Sequence, residues 1–448
     1  MFPYLPHTDQ DREKLKTEIG IDSVAELYSD IPGEVLLDQK LDLNSALSEI
    51  EIKKRMKELS SKNKDLNDYT SFLGAGVYDH YIPGVVNHII SRSEFYTAYT
   101  PYQAEISQGY LQAIFEYQTM ICELSGLNVA NASMYDGASA IAEAALMSTA
   151  INRRRQEIIV SRTVSPESRK VLKTYCKAAD FKLREVAYEN GLTDQNQLAD
   201  IVSEDTAGVI IQSPNFFGQI EYLSKLSEII NKAGAVFIVA ADPISLALLE
   251  APGNLGAEIV VGEGQSLGNP HNFGGPHFGF FATTEDNMRK LPGRVIGETE
   301  DEDGNRGFVM TLQTREQHIR RKRATSNICS NQALNALAAT VYLSLMGKKG
   351  LKEVAKRCVK KAHYAAEKIT ELKDYELAFS GSFFKEFTIS TDRDVSEINE
   401  FLREKKFIGG YDLGQDYSEL HNNMLLAVTE KRTKSEIDEL VKLLEVVK

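Results

Sequence analysis

Four short apolar runs constrain this chain most: EIIVS at 157–161, AGVIIQ at 207–212, AVFIVAA at 235–241 and EIVVG at 258–262. All are rich in Val and Ile, and none alternates apolar with polar residues. Each therefore reads as a strand buried on both faces. Helical stretches at 165–177 and 223–234 separate several of them. That rhythm predicts an α/β architecture built on a mainly parallel sheet. Ligands of such sheets bind at the carboxyl ends of the strands.

The flanks read differently. Thr8 stands three residues before Asp11, a capping pattern that opens a helix ending near Gly20, and Ser23 is placed to cap a second. Residues 44–62 carry Leu47, Ile50, Ile52, Met56 and Leu59 at helical spacing. An arm of this kind has no core of its own and must bury its stripe on something else. Beyond 331, helices are expected at 331–346, 350–372, 395–406 and 434–447, with strands at 384–391 and 423–429. The expected division is a helical arm (1–68), a large α/β domain (69–330) and a small C-terminal α/β domain (331–448).

The charge balance is 51 basic against 64 acidic residues, a net −13, which disfavours nucleic acid and anionic membranes as partners. No apolar run approaches the ~20 residues of a membrane-spanning helix. The first residues lack a signal-peptide pattern, so a cytoplasmic location is expected. The four cysteines (122, 176, 329, 358) lie far apart and read as buried free thiols.

Polar and small residues follow the strands. AVFIVAA ends in Asp242-Pro243, and EIVVG leads into a glycine-rich loop containing Gly274 and Gly275. Ser133, Asp136 and Gly137 lie near the start of an Ala-rich helix, where free N–H groups and the helix dipole favour an anion. This set resembles a pyridoxal phosphate cradle: a phosphate cup, an aspartate for the ring nitrogen and a glycine-rich loop. The plainer alternative is that Asp242 caps a turn and the Ala-rich helix simply packs closely. No lysine occurs between Lys232 and Lys290, so no Schiff base is expected in the usual place.

Three further groups call for roles. Tyr99, Thr100, Tyr102, Gln103 and Glu105 lie in a hydroxyl-rich stretch that reads as an exposed or interfacial loop. Arg315, His318, Arg320 and Arg321 belong to a basic segment suited either to a solvated face or to docking an anion or acidic partner. His271 and His277 flank the glycine loop without nearby acids. They read as loop hydrogen-bonders, and no metal is expected.

Long strings carry a family resemblance: FLGAGVYDHYIP (72–83), VANASMYDGASA (129–140), QSPNFFGQIE (212–221), VVGEGQSLGNPHNFGGPHFGFFA (260–282) and TLQTREQHIRRKRATSNICSNQAL (311–334), with MFPYLPHTD at the start and SRSEFYTAYTPYQAEISQGYLQAIFEYQTMICEL at 91–124. The chain resembles, nearly end to end, the N-terminal-half subunit of the glycine decarboxylase P-protein family of the glycine cleavage system.

The resemblance implies a type-I pyridoxal phosphate transferase fold with a seven-stranded sheet. It implies glycine decarboxylation and aminomethyl transfer to the lipoyl H-protein, shared with a lysine-bearing second subunit in an α2β2 assembly. Pyridoxal phosphate would be held covalently by that partner. Gln265 falls in the slot of the family's Schiff-base lysine, and the chain alone is expected to be non-catalytic. Its pocket (Ser133, Asp136, Gly137, Asp242, Gln265, Gly274, Gly275) would be vestigial, while Tyr99, Thr100, Tyr102, Gln103 and Glu105 would reach the partner's site. Relatives read V-H-P-E where this chain has Val164-Ser165-Pro166-Glu167, which argues further against a working site here. A different class of function, a non-catalytic homodimeric binding or scaffold protein on the same fold, is the alternative.

Overall fold

The computed structural model describes residues 4–447 apart from 38, 276 and 329–331. Pro276 and Cys329 therefore lie outside the described residues. The chain divides into two compact units, 1–64 and 65–448.

In the first unit, α1 (Asp9–Ile19) opens on a capping box between Thr8 and Asp11 and closes on Gly20 in the left-handed region (φ 81°). Ser23 and Glu26 make a second box at a 3-10 turn, and α2 (Glu49–Ser60) starts with a third between Ser48 and Glu51. These local hydrogen bonds set the helix ends, as the sequence spacing predicts. None of the three segments has a buried residue.

The second unit is organised by seven strands: β1 (Val129–Ala130), β2 (Glu157–Ser161), β3 (Lys182–Val186), β4 (Thr206–Ser213), β5 (Val236–Ala241), β6 (Ile259–Glu263) and β7 (Gly279–Thr283). Their order is β1-β7-β6-β5-β4-β2-β3. Only β7 runs antiparallel to its neighbours. Alternate residues feed two separate cores. Ile159, Val209, Phe237, Val239 and Val260 point to one, and Ile158, Ile210, Ile238, Ile259 and Val261 to the other. Two apolar faces explain why the strands show no polar alternation.

Long helices cover the sheet. These include α3 (Gln108–Ser125), α4 (Gly137–Ile151), α5 (Pro166–Ala179) and α6 (Leu223–Lys232). The Ala-rich α4 buries Ala140, Ala142, Ala144 and Ala145 in the second core, so its small residues serve close packing. A hairpin, β8 (Val295–Glu300) with β9 (Arg306–Thr311), follows the sheet.

A run from Ala333 to Thr370, α7, breaks at Gly347 (φ 57°, ψ −179°), so the two helices expected there meet at a sharp turn. A second sheet contains β10 (Tyr375–Leu377), β11 (Glu386–Thr391), β12 (Tyr411–Asp412) and β13 (Asn423–Ala427) in the order β10-β11-β13-β12. Helices α8 (Val395–Glu404) and α9 (Lys434–Val446) pack on it around Phe387, Ile389, Ile398 and Leu440. Among the described residues, no helix is long and apolar enough to cross a membrane.

Gly262 is the penultimate residue of β6, where a Cβ would sit 2.2 Å from the Ala241 carbonyl oxygen and 2.6 Å from the Phe280 ring. Gly262→Ala should lower unfolding stability by about 1–3 kcal/mol, because the backbone and a core ring must both yield. Chemical denaturation of the purified chain measures this, and an unchanged midpoint would refute it.

Candidate functional site

The strands β4, β5 and β6 end on one cavity of about 810 Å³, lined among others by Asp136, Gly137, Asp242, Glu263, Lys385 and Glu386. They arrive from four places: Asp242 follows β5, Glu263 ends β6, Asp136 and Gly137 open α4, and Lys385 precedes β11, which Glu386 begins. The segment 74–78 also lines the cavity.

At the end of β5, Asp242 performs two tasks. Its Oδ1 accepts from the N–H groups of Ile244 (2.8 Å) and Ser245 (3.2 Å), capping the following turn. Its Oδ2 forms an ion pair with Lys385 Nζ. Lys385 is only 2% exposed. Its ammonium sits 3.5 Å above the centre of the Tyr78 ring and 3.0 Å from His80 Nε2. An ammonium can only donate, so His80 Nε2 accepts and the imidazole proton lies on Nδ1. That nitrogen donates to Glu430 Oε2 at 2.6 Å. The result is an alternating buried chain, Asp242–Lys385–His80–Glu430.

Burial alone would raise the Glu430 carboxyl, but the hydrogen bond from His80 and the N–H of Tyr81 hold it below the usual carboxylate range. Glu430 also accepts from Cys358 Sγ at 3.4 Å. His80, Cys358 and Glu430 are close enough to suggest a metal. With both imidazole nitrogens already engaged, by Lys385 and Glu430, the cluster is better explained as hydrogen bonding.

The start of α4 also lines the cavity. Asp136 Oδ1 accepts from Ser139 N at 2.7 Å as the helix cap. Glu263 Oε2 accepts from Gly137 N at 3.0 Å, and its Oε1 accepts from Gln265 N at 3.1 Å. Gly137 permits this approach, since a Cβ there would lie 2.8 Å from Glu263 N. Burial, with Asp136 nearby, pushes the Glu263 carboxyl up to about 8 despite its N–H partners. Glu386 is likewise raised by burial, to about 7, while accepting from Ala75 N and the Tyr78 hydroxyl, both at 2.7 Å.

The other anticipated residues fall in several places. Gln265, 2% exposed, spends its amide on backbone: its Oε1 accepts from Tyr78 N (2.9 Å), and its Nε2 donates to Tyr78 O (3.1 Å) and Asn269 O (2.7 Å). Gly274 and Gly275 line the cavity with φ of 112° and 139°, a conformation that needs glycine. Ser133 lies apart from them, buried, accepting from Gln332 N at 3.1 Å. His277 Nε2 bonds the His271 carbonyl at 3.1 Å, as loop residues do. Cys176 and Cys358 are buried, and Cys122 is half-buried.

Tyr99 and Tyr102 are 77% and 61% exposed, and Gln103 and Glu105 are exposed beside them. The Tyr102 ring meets His318 edge-on at 5.8 Å, so the hydroxyl-rich stretch and the basic segment share one surface. A smaller cavity of about 240 Å³ lies there, lined in part by Tyr99, Tyr102, Arg294, Arg315 and His318. Arg315 itself is buried, and its guanidinium donates to the carbonyls of Leu291 and Gly293. Arg320 and Arg321 are the exposed arginines of the segment's anticipated set.

Lys385 had no signal in the spacing of motifs. It lies 143 positions from Asp242 and opens an ordinary apolar strand, so only the fold brings the two together. The segment FLGAGVYDHY was conspicuous as a string, but its role as a strap across the cavity was not readable.

The chain is similar to known proteins along its whole length. The family described as "Glycine cleavage system P-protein" matches residues 3–444. A protein of Bacillus mycoides (strain KBAB4) called "Probable glycine dehydrogenase (decarboxylating) subunit 1" is 54% identical over 438 residues, covering 98% of each chain. The crystal structure of a glycine decarboxylase (P-protein) of the glycine cleavage system, in inhibitor-bound form, superposes with a TM-score of 0.92 at 41% identity, covering 99% of this chain and all of the other. A glutamate decarboxylase of Lactobacillus brevis shares the fold at a TM-score of 0.69 and 14% identity, covering 94% and 95% of the two chains. The fold is that of type-I pyridoxal phosphate enzymes. The side chains of this cavity do not fit that cofactor, because Asp242 already faces Lys385 and Gly137 N–H is already bonded to Glu263.

The raised carboxyls make stability depend on pH. Glu263 holds its proton more tightly folded (about 8) than its ordinary 4.5, so its contribution is full below 4.5 and declines as pH rises toward 8. Glu386, at about 7, acts in the same direction. Glu430 acts oppositely, and its contribution is lost below 4.5. Glu263→Gln should flatten the fall in melting temperature between pH 5 and 8. Parallel pH profiles for the two proteins would refute the assignment.

Proposed function

The chain belongs to the glycine cleavage system P-protein family, and we propose from this that it is the subunit that completes an active site held on a lysine-bearing partner. Together the two decarboxylate glycine and pass the aminomethyl group to the lipoyl H-protein, with pyridoxal phosphate carried covalently by the partner. The observation that supports this division most is the cavity itself. Among its described lining residues Lys385 is the one lysine, and it is locked to Asp242; the family resemblance adds Gln265 in the slot of the Schiff-base lysine.

In this reading residues 69–330 are a former cofactor domain, 331–448 its small companion, and 1–68 an arm whose apolar stripe packs on the second subunit. The assembly is α2β2, located in the cytoplasm. Exposed Tyr99, Tyr102, Gln103 and Glu105, with half-buried Thr100, offer hydroxyl, amide and carboxylate groups to the partner's site. Arg320 and Arg321, exposed beside them, suit an acidic surface such as that of a carrier protein.

The deciding experiment is glycine–bicarbonate exchange by this chain alone and mixed with the lysine-bearing subunit, followed by borohydride reduction. Exchange is expected in the mixture only, with the reduced adduct on the partner. A stoichiometric adduct on this chain, or exchange by it alone, would overturn the proposal. Failure of the two chains to co-purify would favour the non-catalytic homodimer.

Within the reconstituted enzyme, Tyr99→Phe or Glu105→Gln should lower kcat about tenfold with assembly intact, the scale of one lost hydrogen bond in a transition state. Arg320→Gln/Arg321→Gln should weaken the salt dependence of KM for the carrier protein. Unchanged kinetics in both would remove this surface from the mechanism.

A further inference from the structure

A pyridoxal phosphate site needs a free carboxylate for the ring nitrogen, free N–H groups for the phosphate and a lysine for the aldehyde. The present argument depends on the proposed function only for naming that cofactor. In this chain all three requirements meet side chains already committed. Asp242 Oδ2 is paired with Lys385, and its Oδ1 is shared by two backbone N–H groups. The N–H of Gly137 at the start of α4 is taken by Glu263, and that of Ser139 by Asp136. Gln265 is buried with its amide bonded to Tyr78 and Asn269.

We infer that this cradle is closed to the cofactor because the chain's own side chains have taken over its electrostatic roles, Lys385 as the cation facing Asp242 and Glu263 as the acceptor at the start of α4. The site thereby becomes a clamp. Lys385 immediately precedes β11 and Asp242 follows β5, so their pair fastens the four-stranded sheet to the seven-stranded one. The strap 74–81 closes over the join: Tyr78 lies beneath the ammonium and bonds Glu386, and His80 continues the chain of hydrogen bonds to Glu430.

Several acids line the cavity beside Lys385, among them Asp136, Glu167, Asp242 and Glu386, so among the described lining residues an entering phosphate finds no free cation. Nor does Lys385 supply the missing aldehyde lysine. Its Nζ is already engaged by the Asp242 carboxylate, the Tyr78 ring face and His80 Nε2, so it is not free to meet an aldehyde.

The test uses the full chain and pyridoxine 5′-phosphate, which lacks the aldehyde and so cannot form Schiff bases with surface lysines. Calorimetric titration to about 1 mM should show no saturable binding that depends on Asp242. One-to-one binding weakened about tenfold or more by Asp242→Asn would overturn the inference. Binding indifferent to that substitution reports a site elsewhere and leaves the cradle closed. Lys385→Met should lower the melting temperature by more than about 5 °C, since it leaves the largely covered carboxylate of Asp242 without its cation. Lys385→Met/Asp242→Asn should recover at least half of that loss. A smaller drop, or no recovery, would remove the clamp. If Lys385→Met does not fold, the titration of the unmutated chain and the double variant decide the matter. None of these outcomes bears on the exchange assay, which separately decides the partner reading.

Discussion

The ion pair between Lys385 and Asp242 is the interaction on which the rest of the site depends. A single buried charge is costly, and each of these two is tolerated because the other is present. The pair also orders its neighbours. Lys385 dictates the tautomer of His80, which fixes the proton directed at Glu430, and the Tyr78 ring beneath the ammonium positions the hydroxyl that reaches Glu386. One lysine thus organises two acids, an imidazole and a phenol from separate parts of the chain.

The fold was legible wherever burial on both faces left a clear pattern. The runs at β2, β4, β5 and β6 and the closing helices match their expected spans within one to three residues. Strand β3 was not read, because KLREV lies at the sheet edge and carries charges on its exposed positions. The hairpin of β8 and β9 also escaped, since VIGETE and RGFVMT are mostly polar and exposed at the end joined by their turn.

The site was legible in part. Asp242, Asp136, Gly137 and the glycine loop stood out because strand ends and helix starts have recognisable chemistry, and they do converge on one cavity. The residues that complete the cavity, Lys385, Glu386, His80 and Tyr78, come from a distant strand and a strap. Their proximity depends on how two sheets pack, and local sequence carries no record of that. The two readings of Asp242, turn cap and cofactor carboxylate, are also not alternatives. Its Oδ1 caps the turn while its Oδ2 faces the cavity cation.

Gln265 makes one more property of the molecule clear. Its amide answers both the N–H and the C=O of Tyr78, much as a neighbouring strand would, and so holds the strap down. Lysine has no acceptor with which to repeat this. A lysine at that position would leave the Tyr78 N–H without its partner. The strap over the cavity is thus latched by one neutral amide, which offers a donor and an acceptor at once where a charged side chain could offer only one of the two.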